Sequence, residues 1–174
     1  QLTGLHQIWN GTAWVNDTRL SYTYDAHNLN TIQITEKWTA GAWLNTSKVE
    51  NLYDSNKNFT GYNSYLWNTG TSQWDNNYQV TSTLNSAGYS THYLVKKWTA
   101  GAWANSYQYL YTLNSANLTT VREYQTWNTG TSNWVPATRS TFQYDNNDNN
   151  TYYLTEQYNT GNLLFENYYR SFYY

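Results

Sequence analysis

The chain has 174 residues, a net charge of −2 and only 11% charged residues, where an average soluble domain has about a quarter. That balance leaves no basic footprint for nucleic acid, and no apolar run reaches the length of a transmembrane helix. With no Cys and no Met, disulfides and thiolate metal sites are excluded, and the 20% aromatic content argues against disorder.

The aromatic residues set the organisation. Trp9/Trp14, Trp38/Trp43, Trp67/Trp74, Trp98/Trp103 and Trp127/Trp134 form five close pairs, continued by Tyr158/Phe165. Their first members recur every 29 or 31 residues, a period that indicates a repeat architecture. Six units follow in one domain spanning 1–174: 1–28, 29–58, 59–88, 89–117, 118–149 and 150–174. Each carries two strand-length runs around a Gly-containing turn, the pattern of a β-hairpin. In chain order the turns between the paired aromatics read N-G-T-A, T-A-G-A, N-T-G-T-S-Q, T-A-G-A, N-T-G-T-S-N and N-T-G-N-L-L. A second set of turns joins successive units, beginning Tyr24-Asp25, Tyr53-Asp54, Leu84-Asn85, Leu113-Asn114 and Tyr144-Asp145. Asp and Asn suit these places because they bond to their own backbone.

Stepping by two along each run from its tip aromatic collects mainly apolar and aromatic residues. Trp38 leads to Glu36, Ile34 and Ile32; Trp103 leads to Asn105, Tyr107, Tyr109 and Tyr111. The intervening positions are mostly polar, with exceptions at Tyr62, Tyr89, Tyr93, Leu110, Tyr124, Tyr153 and Tyr168. This alternation predicts an all-β fold: an antiparallel meander of six repeated hairpins with about twelve strands. Because each large apolar side chain gains about 1.5–3 kcal/mol on burial, the sheet is expected to curl or coil so that its aromatic face is buried. A transmembrane barrel fits less well, since both sets of turns are short and the would-be lipid face carries Asn, Ser and Glu.

The Tyr-Asp turn followed by a short β-prone run, at Tyr24-Asp25, Tyr53-Asp54 and Tyr144-Asp145, resembles the YD repeats of the RHS superfamily. Combined with W-N-G-T-A-W and W-N-T-G-T-S-x-W, it is similar to repeat regions of Bacteroidota surface proteins and proteins secreted by the type IX route. The resemblance covers essentially the whole chain. It implies a non-catalytic β-repeat outside the bacterial cell. No leader pattern opens the sequence, so the chain is read as cytosolic, already processed or part of something longer.

Little in the sequence points to catalysis. His6, His27 and His92 lie in different units without metal-ligand spacing. Glu36, Glu123 and Glu156 sit near hairpin tips, where two carboxylates in an apolar setting would suit a glycosidase. Glu36 and Glu156 hold equivalent places that are Gln7, Tyr65, Lys96 and Gln125 in the other units, a scatter that speaks against a catalytic pair. Asp145, Asn147, Asn149 and Glu156 match the ligand spacing of a calcium loop, but the required Gly is Asn150. The sequence therefore predicts no enzyme, no cofactor and no metal. It predicts an extracellular structural or adhesive module whose partners are copies of itself or neighbouring repeats, paired through edge strands into a filament. The alternative is a carbohydrate-binding module that stacks sugars on Trp67, Trp74, Trp127 and Trp134.

Overall fold

The computed structural model describes residues 2–173; Gln1 and Tyr174, which flank the terminal strands, lie outside the described residues. Twelve strands follow one another in chain order: β1 (Leu2–Trp9), β2 (Trp14–Tyr24), β3 (Asn30–Thr39), β4 (Ala42–Tyr53), β5 (Phe59–Asn68), β6 (Gln73–Leu84), β7 (Ser90–Thr99), β8 (Ala102–Leu113), β9 (Thr119–Asn128), β10 (Asn133–Tyr144), β11 (Asn150–Asn159) and β12 (Leu164–Phe172). They form one sheet in the order β1 to β12, an antiparallel meander that is not closed. The chain divides into two compact units, Gln1–Val80 with Lys97–Ala102 and Thr81–Lys96 with Trp103–Tyr174.

The turns explain why the same hairpin recurs. At the first tip type, Ala40 (φ 50°) and Gly41 (φ 84°) both adopt left-handed backbone, as do Ala100 and Gly101. This is the two-residue turn whose twist matches that of the flanking strands. At the second tip type the Asn68 side-chain oxygen accepts from the N–H groups of Gly70 and Thr71, and Asn128 repeats this with Gly130 and Thr131. At the opposite end, Asp25 Oδ1 accepts from the N–H groups of His27 (2.8 Å) and Leu29 (2.9 Å). Asp54, Asn85, Asn114 and Asp145 do the same in their turns. Asn substitutes for Asp at two junctions because either side chain supplies the accepting oxygen. At two of the Tyr-Asp junctions the tyrosine hydroxyl donates back to the first residue of an earlier strand: Tyr53 to the Asn30 carbonyl (3.0 Å) and Tyr144 to that of Thr119 (2.8 Å).

Two sets of β-bulges interrupt the ladders. Thr31, Thr60, Thr120 and Thr151 are each left unpaired near the start of a unit. The Thr31, Thr120 and Thr151 hydroxyls donate to a neighbouring carbonyl at 3.2–3.3 Å. The other set falls three residues after the second tip aromatic, where Asp17, Thr46, Ala137 and Tyr168 are skipped by the pairing. Pro136 in β10 sits beside Ala137, a place where its missing N–H breaks no regular ladder.

These second bulges overturn the single aromatic face expected from alternation. An extra residue returns the side chains beyond it to the opposite face. Arg19, Lys48 and Arg139 therefore share a face with the tip tryptophans. Their register partners show it: Arg19 opposite Glu36, Lys48 opposite Ile34 and Tyr65, and Arg139 opposite Glu123 and Glu156. Tyr107, Tyr109 and Tyr111 lie on the other face, opposite Thr126, Tyr124 and Arg122. The sheet thus has a tryptophan face, with aromatic tips and a polar ladder behind them, and a tyrosine face.

Nor is the aromatic face buried as expected. Val80 (0% exposed) and Val95 (2%), both on the tyrosine face, are the fully buried large side chains among the described residues. Trp9 and Trp14 are 55% and 65% exposed, and the other tip tryptophans are half-buried. The accessible surface is 11197 Å², against about 8,900 Å² for an ordinary folded chain of this mass. The tip rings are covered in part by their cross-strand partners.

Candidate functional site

The tryptophan face is built one hairpin at a time. Each tip pair lies directly opposite in register, for example Trp38 with Trp43 and Trp127 with Trp134. The rings meet edge to face. Centroid separations are 5.6 Å for Trp9/Trp14, 5.1 Å for Trp38/Trp43, 4.9 Å for Trp67/Trp74, 5.0 Å for Trp127/Trp134 and 5.2 Å for Tyr158/Phe165. This arrangement sets a positive ring edge against a negative ring face.

Behind the tips runs the polar ladder. The residue five places after a second tip aromatic faces the residue two places before the next first tip aromatic. Arg19 donates through Nε and Nη2 to Glu36, both at 2.6 Å. Arg139 does likewise to Glu156 at 2.7 and 2.8 Å. Lys48 occupies the same place but faces Tyr65, with its ammonium 4.2 Å from that ring centroid, and bonds Glu50 at 2.7 Å. The cations also lie over the next hairpin's second tip aromatic: Arg19 is 4.9 Å from the Trp43 ring, Lys48 5.6 Å from Trp74 and Arg139 4.3 Å from Phe165. Arg19 and Arg139 therefore join one hairpin to its successor through both an acid and a ring, and Lys48 does so through rings alone.

In the second compact unit the ladder includes a run of neutral side chains. His92 bonds Gln108 Oε1 (2.8 Å), Gln108 Nε2 donates to Gln125 Oε1 (2.6 Å), and Gln125 donates to Glu123. Gln108 is 6% exposed and Glu156 9%, so these polar groups are buried but partnered.

The positions singled out in the sequence can now be placed. Trp67, Trp74, Trp127 and Trp134 come together as two half-buried edge-to-face pairs, each offering part of its ring surface to solvent. Glu36 and Glu156 are held in ion pairs by Arg19 and Arg139, and Glu123 accepts from the Gln125 amide. The Asp145 carboxylate is occupied by the N–H groups of Asn147 and Asn149 and by the Asn149 amide, and no cluster of metal-ligating side chains occurs among the described residues. His6 faces Asp17 and His27 faces Asp25. Alternation carried across the bulges had put Arg19, Lys48, Gln108 and Arg139 on the wrong face. The signal was nonetheless present: the exceptions Tyr62, Tyr93 and Tyr153 recur five places before a tip aromatic, which marks a second aromatic face rather than scatter.

The Arg139 guanidinium holds the Glu156 carboxyl below its ordinary value of 4.5, against the opposing effect of burial. A carboxylate depressed in the fold stabilises it above the unfolded value, and that contribution is lost as pH falls through the folded value. Stability is therefore expected to decline below about pH 4.5. Arg139→Gln should cost about 2 kcal/mol at pH 7, a figure kept low because Arg139 is partly exposed. It should also flatten the acid limb. Urea midpoints measured from neutral to acidic pH check both; a variant with the wild-type slope would remove Glu156 as its source.

No family model matches the chain, and no curated protein does. Among solved structures it is similar to a protein of unknown function from Bacteroides fragilis (11% identity, 90% of this chain and 92% of that one, TM-score 0.40). It is also similar to a DUF3836 family protein from Parabacteroides distasonis (15% identity, 61% and 88%, TM-score 0.42). A third is a porin-like protein from Bacteroides uniformis (12% identity, 97% and 94%, TM-score 0.33).

Proposed function

We propose that the chain is a non-catalytic structural module of a bacterial cell-surface or secreted protein, and that it associates end to end through β1 and β12. The observation that carries this reading is the state of the two outermost strands. In the sheet order each has a single neighbour, and their large side chains are open: Leu5 57%, Ile8 47%, Tyr169 55% and Phe172 52% exposed. An unprotected edge is a template for another strand.

The internal junctions set the register of such a contact. Arg19 faces Glu36 and Ser21 faces Ile34; Arg139 faces Glu156 and Thr141 faces Leu154. Continued across copies, Arg170 faces Gln7 and Phe172 faces Leu5. The Leu5→Cys/Phe172→Cys variant is therefore expected to oxidise into a ladder of disulfide-linked multimers. Wild-type mass measured by light scattering should rise with concentration. A chain that stays monomeric in both experiments overturns the reading. The alternative, sugar stacking on Trp67, Trp74, Trp127 and Trp134, is supported by their half-open rings, but the edge-to-face pairing leaves no ring pair as a flat platform. Polysaccharide retention by a strictly monomeric chain would favour it instead.

A further inference from the structure

From the tyrosine face of the second compact unit we infer a binding cleft for a carboxylate-bearing sugar, anchored by Arg122. The inference is independent of end-to-end association, since the cleft is complete within one chain.

Arg122 breaks a pattern. Five places before the first tip aromatic, the third, fourth and sixth hairpins carry Tyr62, Tyr93 and Tyr153; the fifth carries Arg122. In register it lies between Tyr111 on β8 and Ser140 on β10. Ser140 is small and almost fully buried (3% exposed), with its hydroxyl 3.5 Å from that of Tyr153. Arg122 borders a cleft of about 390 Å³, lined also by Phe142, Tyr144, Asn150, Tyr153 and Tyr173, at the small end of the range for ligand sites.

Among the described residues no acid neutralises the charge in this cleft. The Arg122 guanidinium stands 5.9 Å from the Tyr109 ring centroid and 5.8 Å from that of Phe142. Rings of this kind hold a cation in place without cancelling its charge. Arg19 and Arg139 each have a glutamate, and Lys37 and Lys48 each have an acid. Among the described residues no carboxylate lies within ion-pair distance of Arg122. Its charge does reach the cleft: the Tyr153 phenol is held below its ordinary value, by the Ser140 hydroxyl first and with Arg122 contributing.

The chemistry selects the ligand. A guanidinium presents a planar fork that fits a carboxylate in two parallel hydrogen bonds. One cation lines the cleft, which balances a singly charged carboxylate and not a doubly charged phosphate. The remaining walls are aromatic rings, with an amide at Asn150 and phenol hydroxyls. Aromatic walls pack against the C–H face of a sugar, and the polar groups bond its hydroxyls. A hexuronic acid residue combines both features.

The test is titration of the ¹⁵N-labelled chain with digalacturonic acid, with the neutral disaccharide galactobiose and acetate in parallel. Digalacturonic acid should give saturable shifts at the Arg122, Ser140 and Tyr153 amides. Acetate should compete, and galactobiose should bind at least about tenfold more weakly. Arg122→Gln should lower the affinity for the acid by about tenfold or more, and Arg122→Lys, which keeps the charge but loses the fork, should fall between. Equal binding of acidic and neutral disaccharides, an absence of saturable shifts, or wild-type affinity in a folded Arg122→Gln chain would each overturn the inference. Should Arg122→Gln not fold, the wild-type comparison of the two disaccharides and the Arg122→Lys variant decide it.

Discussion

Deleting the single residue Ala137 is expected to cost at least about 4 kcal/mol, a large share of what a domain has to lose. Ala137 makes no cross-strand pair; it is the extra residue between Pro136 and Thr138. Without it the alternation of β10 would run uninterrupted from Trp134, and every side chain beyond would change face. Arg139 would leave Glu156, a carboxylate that is 9% exposed and would be stranded without its charge partner. Ser140 and Phe142 would leave the tyrosine face, removing the Phe142/Tyr153 contact at 5.1 Å. Ala137→Gly is the control: it keeps the residue count, and a bulge tolerates glycine, so it should change stability by no more than about 1 kcal/mol. Urea unfolding checks the cost, and hydrogen exchange across 138–144 locates it. If the deletion unfolds like the wild type, the bulge does not set the register.

That contrast also marks where the sequence could be read and where it could not. Repeat length, hairpins, strand order and both kinds of turn follow from local chemistry: paired aromatics, Ala-Gly and Asn-Thr-Gly tips, and Asp or Asn at each junction. Period-two reading works on β3, where Trp38, Glu36, Ile34 and Ile32 share a face. It fails on β2, β4 and β10, because a bulge has no composition of its own: Asp17, Thr46 and Ala137 share nothing but their place after the tip. The other bulges were more legible, since threonine recurs at 31, 60, 120 and 151. Burial was misjudged for a different reason. A high aromatic content does not require a sealed core, because apolar atoms make up much of any protein surface. Here edge-to-face pairing and overlying cations cover part of the tip rings.

The same reasoning predicts which apolar residues hold the sheet together. Val80→Ala should cost about 2 kcal/mol, since a fully buried side chain loses both its transfer energy and its packing. Val80→Asp should cost about 4 kcal/mol or more, because a carboxylate at a position with no accessible surface has no partner. Val95, 2% exposed in β7, should respond in the same way. Trp14→Ala removes a far larger side chain, yet Trp14 is 65% exposed. What it loses is mainly the edge-to-face contact with Trp9, worth about 1 kcal/mol. The ranking is opposite to the one that side-chain size alone would give. It follows from position along the strands: Val80 and Val95 lie within β6 and β7, whereas Trp14 sits at the tip of the outermost hairpin, beyond the part of β2 that pairs with β3. Equilibrium urea unfolding of these variants, followed by far-ultraviolet circular dichroism so that the loss of a tryptophan does not distort the signal, gives the order directly. A greater cost for Trp14→Ala than for Val80→Ala would place the stability in the hairpin tips instead.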